Sequence, residues 1–482
     1  MNIKMVFKTV GRISQIAALL LLIPAVVALI YGESKQFFAF FITAVAAFVI
    51  GFIVRLLTKT KNRVIYAKDG FAITALAWIV MALIGALPFV ITREIPSYVD
   101  AIFETVSGFT TTGASIITNV ETMSRSMLFW RSFTHWIGGM GVLVFVMAII
   151  PNFTDRSIHI MRAEMPGPII GKLVPRVKDT AKILYLIYIF LTVLQTVLLL
   201  LGGMPFYDSI VHTFGTAGTG GFGIKADSIA SYNPYCQWVI AIFMLLFGVN
   251  FNLYYLLLLR RIRTALKSSE LWCYISIALV SVVIITANIM PIYKNFADSL
   301  RQSVFQVASI ISTTGFVTTN FDSWPGLSKA ILLLLMFSGA CAGSTAGGLK
   351  VSRTVMLFKS VGKELRKMLH PRSVAKIHFE GKSVEDSTLN SVSTYFVIYM
   401  ICFFAMFLLI SFEPFGMETN FSAVAACFNN VGPGFAAVGP ASNYSAYTDF
   451  SKIVLSFAML LGRLEIFPII IFFSPRAWMK KK

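Results

Sequence analysis

The sequence predicts an all-α polytopic membrane protein, with four helix–pore loop–helix repeats preceded by two extra N-terminal helices. Three observations carry this prediction. The 482-residue chain is 57% hydrophobic and only 13% charged, with a mean hydropathy of +0.77, whereas a soluble domain carries about 25% charged residues. Several apolar stretches exceed the ~18 residues that suggest a bilayer span. A glycine- and threonine-rich string also recurs four times, at matched intervals.

Ten spans are expected, at 15–32, 36–57, 70–92, 128–151, 182–203, 235–259, 271–292, 327–352 (interrupted), 391–412 and 452–474. Lys4, Lys8 and Arg12 before the first could belong to a signal peptide, but no small-residue cleavage pattern follows, and it is read as a retained helix. The formal net charge is +19, and most of the 41 basic residues fall in clusters: Arg55 to Lys68, Arg156 to Lys182, Arg260 to Lys267, Lys350 to Lys382 and Arg476 to Lys482. Each cluster follows an even-numbered span or sits at a terminus. This positive-inside pattern makes both termini cytoplasmic. The charge therefore reflects topology and contact with anionic lipid, and nucleic acid is not an expected partner. The five cysteines form no CxxC pair and the five histidines no ligand cluster.

After spans 3, 5, 7 and 9 the chain enters AIFETVSGFTTTGAS (101–115), SIVHTFGTAGTGGFG (209–223), SVFQVASIISTTGFV (303–317) and FSAVAACFNNVGPGF (421–435). Each opens with about ten apolar residues, too few to span but suited to a half-helix. In register the cores are Thr111, Thr112, Gly113; Thr219, Gly220, Gly221; Thr313, Thr314, Gly315; and Asn430, Val431, Gly432. Four such units can surround one axis. A dehydrated K+ needs close oxygens, and backbone carbonyls supply them without net charge, as in the four TVGYG loops of K+ channels. Glycine permits the backbone angles that a Cβ forbids. One such string is an ordinary turn; four in register after four half-helices point to a cation filter, with K+ held at these residues alone. Glu104 has His212, Gln306 and Ala423 as counterparts, so a carboxylate ring is not expected. External acids either draw cations to the mouth or are simply solvated.

Span 8 carries Gly339, Gly343, Ser344, Thr345, Ala346, Gly347 and Gly348. Such a run makes a poor helix. It is either a small-residue packing ladder or a break lying across the pore as a gate. Arg463 in span 10 is costly in lipid unless it faces a cavity or a partner; facing the span 8 loop, it would oppose cation passage. Asn250 and Asn252 in span 6 either line the lower pore or bond helices together.

Further motifs are HWIGGMGVLVFVMAIIP (135–151), RAEMPGP (162–168), GVNFNLYY (248–255), GACAGSTAGGLKVSR (339–353) and LLGRLE (460–465). With these, nearly end to end, the chain resembles the TrkH family, the membrane subunits of bacterial Trk potassium-uptake systems within the Trk/Ktr/HKT superfamily. It includes the first two helices that the related KtrB proteins lack. The resemblance implies four pseudo-symmetric repeats around one pore, a homodimer, an inner-membrane location, an intramembrane loop in span 8 and an arginine at position 463. It also implies a cytosolic TrkA-like regulatory subunit that binds NAD or ATP. In this superfamily a serine at the first filter glycine goes with Na+ passage; Gly113 implies K+. Gly220, where a side chain could stand, and Pro433 depart from the pattern.

The expected organisation is 1–69 for the two extra helices, 70–181, 182–270 and 271–390 for the first three pore repeats, the third with the broken helix and basic segment, and 391–482 for the fourth. The expected function is K+ uptake through a gated selective pore. Its alternative is a K+ symporter coupled to H+ or Na+, and a third class is an organic-solute transporter with broken helices. K+ is the transported ion, no organic cofactor is expected, and no motif suggests an enzyme.

Overall fold

The computed structural model describes residues 1–58, 67–141, 177–372 and 376–475. RAEMPGP, most of 135–151 and several basic clusters lie outside the described residues. Among those described, the regular secondary structure is helical apart from one short hairpin, β1 (His378–Phe379) paired with β2 (Lys382–Ser383).

Among the described residues, six helices are long and apolar enough to cross a bilayer: α1 (Ile3–Ile30), α2 (Ser34–Leu57), α3 (Ala67–Thr92), α6 (Val177–Leu201), α11 (Ser269–Tyr293) and α15 (Asp386–Ile410). Their outer faces expose Phe48, Ile50, Phe190, Val283 and Leu408, as lipid-solvated surfaces do. The α1–α2 hairpin is fastened twice. Ser14 Oγ donates to the Ala47 carbonyl at 2.8 Å, and the Glu33 carboxylate accepts the first N–H groups of α5 (Arg125–Gly139), from Arg125 at 2.8 Å and Ser126 at 3.0 Å. A carboxylate there also meets the positive end of the α5 dipole.

Spans 6 and 10, expected to be continuous, are broken. α8 (Pro234–Phe247) and α9 (Phe251–Leu258) meet at 91°; α17 (Asp449–Arg463) and α18 (Phe467–Phe473) meet at 120°. At the first break Asn250 accepts the Asn252 N–H at 3.0 Å and so starts a new helix. At the second, Glu465 and Ile466 have φ of 55° and 56°, and Pro468 opens α18. Span 8 is likewise interrupted: α13 (Gly326–Ser338) stops, residues 339–350 form a loop, and α14 (Val351–Leu369) resumes. α10 (Ile262–Leu266) is a short turn of helix between α9 and α11.

Four short helices precede the four strings: α4 (Tyr98–Phe109), α7 (Phe206–Gly218), α12 (Phe296–Ile311) and α16 (Met417–Phe428). At 1.5 Å per residue they reach about 18–24 Å, short of a ~30 Å hydrocarbon core. Many of their polar side chains, including Glu104, Thr105, His212, Gln306 and Asn420, are buried. These helices are packed in protein rather than facing lipid, which is the condition for non-spanning backbone at membrane depth.

Candidate cation filter and intramembrane loop

All four short helices end in the same way. Thr111 N–H bonds to the Gly108 carbonyl (3.1 Å) and Thr112 N–H to that of Ser107 (2.9 Å). The matching pairs are Thr219 to Thr216 and Gly220 to Gly215, Thr313 to Ile310 and Thr314 to Ser309, and Asn430 to Cys427 and Val431 to Ala426. This is the Schellman termination, whose left-handed residue is usually glycine. Here it is Thr111, Thr219, Thr313 and Asn430, each at φ 56°. A β-branched residue held there costs of order 1–2 kcal/mol, and three of the four strings bear that strain.

Two residues further, Gly113, Gly221, Gly315 and Gly432 have φ of 81°, 76°, 84° and 98°. A Cβ on Gly113 would lie 2.0 Å from the Gly220 carbonyl oxygen; on Gly221, 2.0 Å from that of Thr314; on Gly315, 2.1 Å from that of Val431; on Gly432, 2.6 Å from that of Thr112. Each glycine thus abuts the middle carbonyl of the next string, and the fourth returns to the first. The four strings form a closed ring. Thr111, Thr112, Thr219, Thr313, Thr314, Asn430 and Val431 are all fully buried in it.

Gly220 departs from its counterparts for a steric reason. A Cβ there would stand 2.3 Å from Cγ and Nδ1 of His135, so the imidazole of α5 fills the space that Thr112, Thr314 and Val431 fill in the other strings. Pro433 packs beside string 3, with its Cδ 2.9 Å from a Cβ on Gly315.

Outside the ring is a cavity of about 190 Å3 that reaches all four filter glycines; its charged lining is Arg131 and Lys225. Among the described residues no carboxylate lines it, and six of the acids flanking the strings are engaged elsewhere. Asp298 pairs with Arg301, Lys329 bridges Asp322 and Glu418, Asp100 holds Lys452, Glu413 accepts from Thr448, and Asp208 accepts from Tyr232. Arg131 is neutralised by Glu104 at 2.7 Å, both buried, and it also reaches the Gly223 carbonyl and Ser115 Oγ, each at 3.3 Å. Arg131→Ala is expected to destabilise the fold by about 3–5 kcal/mol, because Glu104 would be left buried without its counterion. A thermal melt in detergent reads this directly.

The loop 339–350 lies on the inner side of the ring. Gly347 N–H donates to Thr313 Oγ1 at 2.7 Å, and a Cβ on Gly347 would be 2.5 Å from the Asn429 carbonyl. The α8–α9 break holds the loop through Phe251 N–H to Gly343 O (3.0 Å), Cys341 N–H to Gly248 O (3.1 Å) and Thr345 Oγ1 to Phe247 O (3.2 Å). Asn250 Oδ1 would be 2.9 Å from a Cβ on Gly343, which puts Asn250 beside the loop; Asn252 sits in the first turn of α9. Ser344 Oγ donates back to Cys341 O at 2.6 Å, Lys350 Nζ bonds the Ala346 carbonyl, and Gly348 folds against Gly339.

Arg463 ends α17 rather than lying mid-span. Its guanidinium donates to Thr345 O (2.6 Å) in the loop and to Gly138 O (2.6 Å) and Gly139 O (2.7 Å) at the end of α5. One side chain from the fourth repeat therefore ties the loop of the third to the first. Arg463 and the loop enclose a cavity of about 40 Å3. Glu465 pairs with Arg353.

Glu270 escapes notice in the sequence. Its carboxylate accepts Ala342 N–H (2.7 Å) and Ser352 N–H (3.2 Å), spanning both ends of the loop, while Glu380 of the β1–β2 hairpin accepts the Glu270 N–H. Separations of 72 and 82 residues leave no local signal for this.

A family model described as TrkH, cation transport protein, matches residues 36–481. The chain is 36% identical to the Trk system potassium uptake protein TrkG of Escherichia coli, over 99% of both chains. It is 32% identical to the Trk system potassium uptake protein TrkH of Halomonas elongata over the whole of each. The crystal structure of the potassium transporter TrkH from Vibrio parahaemolyticus superposes with a TM-score of 0.90 at 32% identity, covering 99% of this chain and 100% of that one. These relatives are transport proteins rather than enzymes, and the six apolar helices among the described residues make this a multi-pass membrane protein. The chain belongs to the TrkH family of cation transport proteins.

Proposed function

We propose that this protein takes up K+ across the bacterial inner membrane through a selective pore whose filter is the closed ring of four strings. The observation that carries the reading is the cyclic contact of Gly113, Gly221, Gly315 and Gly432 with the next string's carbonyl. Four backbone rows converging on one axis, with no carboxylate among them, suit a weakly hydrated monovalent cation. The ion ligands are the backbone and side-chain oxygens of Thr111, Thr112, Thr219, Gly220, Thr313, Thr314, Asn430 and Val431 together with the four glycines. Residues 343–348 and Arg463 form the gate, with Asn250 and Asn252 on the cytoplasmic approach.

The names of the relatives support K+ as the ion. By the same likeness the chain works as a homodimer with a cytosolic TrkA-like subunit that binds NAD or ATP. Both termini are cytoplasmic, and the four pore repeats divide at 70–181, 182–270, 271–390 and 391–482.

The test is rubidium-tracer uptake into proteoliposomes holding the purified protein, with K+ and Na+ as competitors and with or without ion gradients. Uptake blocked by K+, spared by Na+ and indifferent to a pH or Na+ gradient is the expected result. Uptake that needs an imposed H+ or Na+ gradient would replace the pore with a symporter.

A further inference from the structure

His135 is fully buried in α5, away from the string sequences, yet one ring touches two of them. Its Nδ1 lies 2.7 Å from the Gly108 carbonyl, and its Nε2 lies 3.3 Å from the Phe222 N–H. A carbonyl only accepts and an N–H only donates, so the ring is the neutral tautomer with its proton on Nδ1. Gly108 O is the same carbonyl that receives the Thr111 N–H, the bond that turns the chain into string 1. Phe222 directly follows Gly221, the filter glycine of string 2. The imidazole also packs against Phe222, centroids 4.2 Å apart and the rings tilted by 36°, and occupies the side-chain space of residue 220.

We infer that His135 is a positioning residue for ion selectivity. It holds string 2 at the radius of the other three, replacing from outside the side chain that Gly220 lacks. The inference rests on reading the ring as the filter. Strings 1, 3 and 4 have a side chain at the middle position to wedge them against their surroundings. String 2 has none, and without the ring it has space to relax outward and one backbone donor unmet. An outward string lengthens its ion–carbonyl distances and admits a more strongly hydrated ion.

The experiment is rubidium uptake by the full-length protein in proteoliposomes, read as the ratio of half-inhibitory Na+ to half-inhibitory K+ concentrations. His135→Asn keeps a donor near Nδ1 and loses the acceptor for Phe222; it is expected to lower the ratio about tenfold, the scale of one net hydrogen bond. His135→Gln carries an amide oxygen out to the Nε2 position and is expected to recover most of it, which a purely structural role would not do. Gly220→Ala pushes the ring from the other side and is expected to lower the ratio as His135→Asn does, so the idea stays testable if His135 variants misfold. An unchanged ratio in His135→Asn or in Gly220→Ala overturns the inference. Gly315→Ser separates the two readings. If it alters the ratio while the His135 and Gly220 variants do not, the filter stands and the role of His135 falls. If none alters it, the filter reading itself falls.

Discussion

Gly221→Ala is expected to lower rubidium uptake about 100-fold, the scale of an ångström-sized displacement at a positioned site, and to flatten the preference for K+ over Na+. The new methyl would stand 2.0 Å from the Thr314 carbonyl oxygen and 3.0 Å from the Gly315 carbonyl carbon. Both obstacles are backbone, so no side chain can swing aside; string 3 or string 2 must leave its place. A second effect has to be separated from this one. Gly221 has φ 76°, and alanine in that region costs about 1–2 kcal/mol wherever it is placed. Gly203→Ala supplies the control. Gly203 has φ 79° but nothing within 4 Å of its Cβ position, so it has the strain without the collision. It is expected to lower the melting temperature slightly and leave uptake and selectivity as they are. If both substitutions behave alike, the ring has no special role.

Arg463→Ala is expected to raise basal rubidium flux measured without any cytosolic partner. The substitution removes three hydrogen bonds from a charged donor, one to the loop and two to α5. Bonds to charged groups contribute about 1.5–3 kcal/mol each. Even a net loss of about 3 kcal/mol from the closed arrangement multiplies the open-to-closed ratio more than 100-fold. If the loop is the gate, removing the charge also removes a repulsion that a cation would meet at this level. Arg463→Lys should fall between, because a single ammonium has no planar fork with which to bridge two carbonyl groups. Deleting residues 343–348 should raise the flux as well. Unchanged flux in both the alanine and the deletion variants would remove the gate from the mechanism.

Much of the architecture was legible because it rests on local chemistry. The half-helices show as apolar runs too short to span, and the strings as glycines at matched positions. Polar residues packed into 343–348 announced a break, and α13 does stop at Ser338. The breaks in spans 6 and 10 were harder to read. Asn250 and Gly248 are present at the first, but a cap is visible only once the chain is known to turn there. At the second, Arg463 looked like a mid-span charge, whereas the helix ends on it. Gly220 was the most misleading position, since its meaning lies 85 residues away in His135. Glu270 is similar: a carboxylate at the start of a helix is commonplace, and its two loop partners are brought to it only by the assembled fold.

The order of the ring sets strings 1 and 3 diagonally opposite, and they alone carry a hydroxyl at the middle position. Thr112 bonds to Thr110 at 2.8 Å, and Thr314 bonds to Ser312 at 2.7 Å, the same hydroxyl couple on both sides. The intervening quadrants offer an empty position backed by imidazole and the isopropyl group of Val431. The ring is thus fourfold in its backbone, while the side chains that wedge it against the surrounding protein repeat only twofold. A tetramer of identical subunits is unable to alternate the side chains behind its filter in this way, since every change appears four times. Folding the ring from one chain lets each diagonal be tuned by itself, and paired substitutions across a diagonal are the natural unit for redesigning which ion passes.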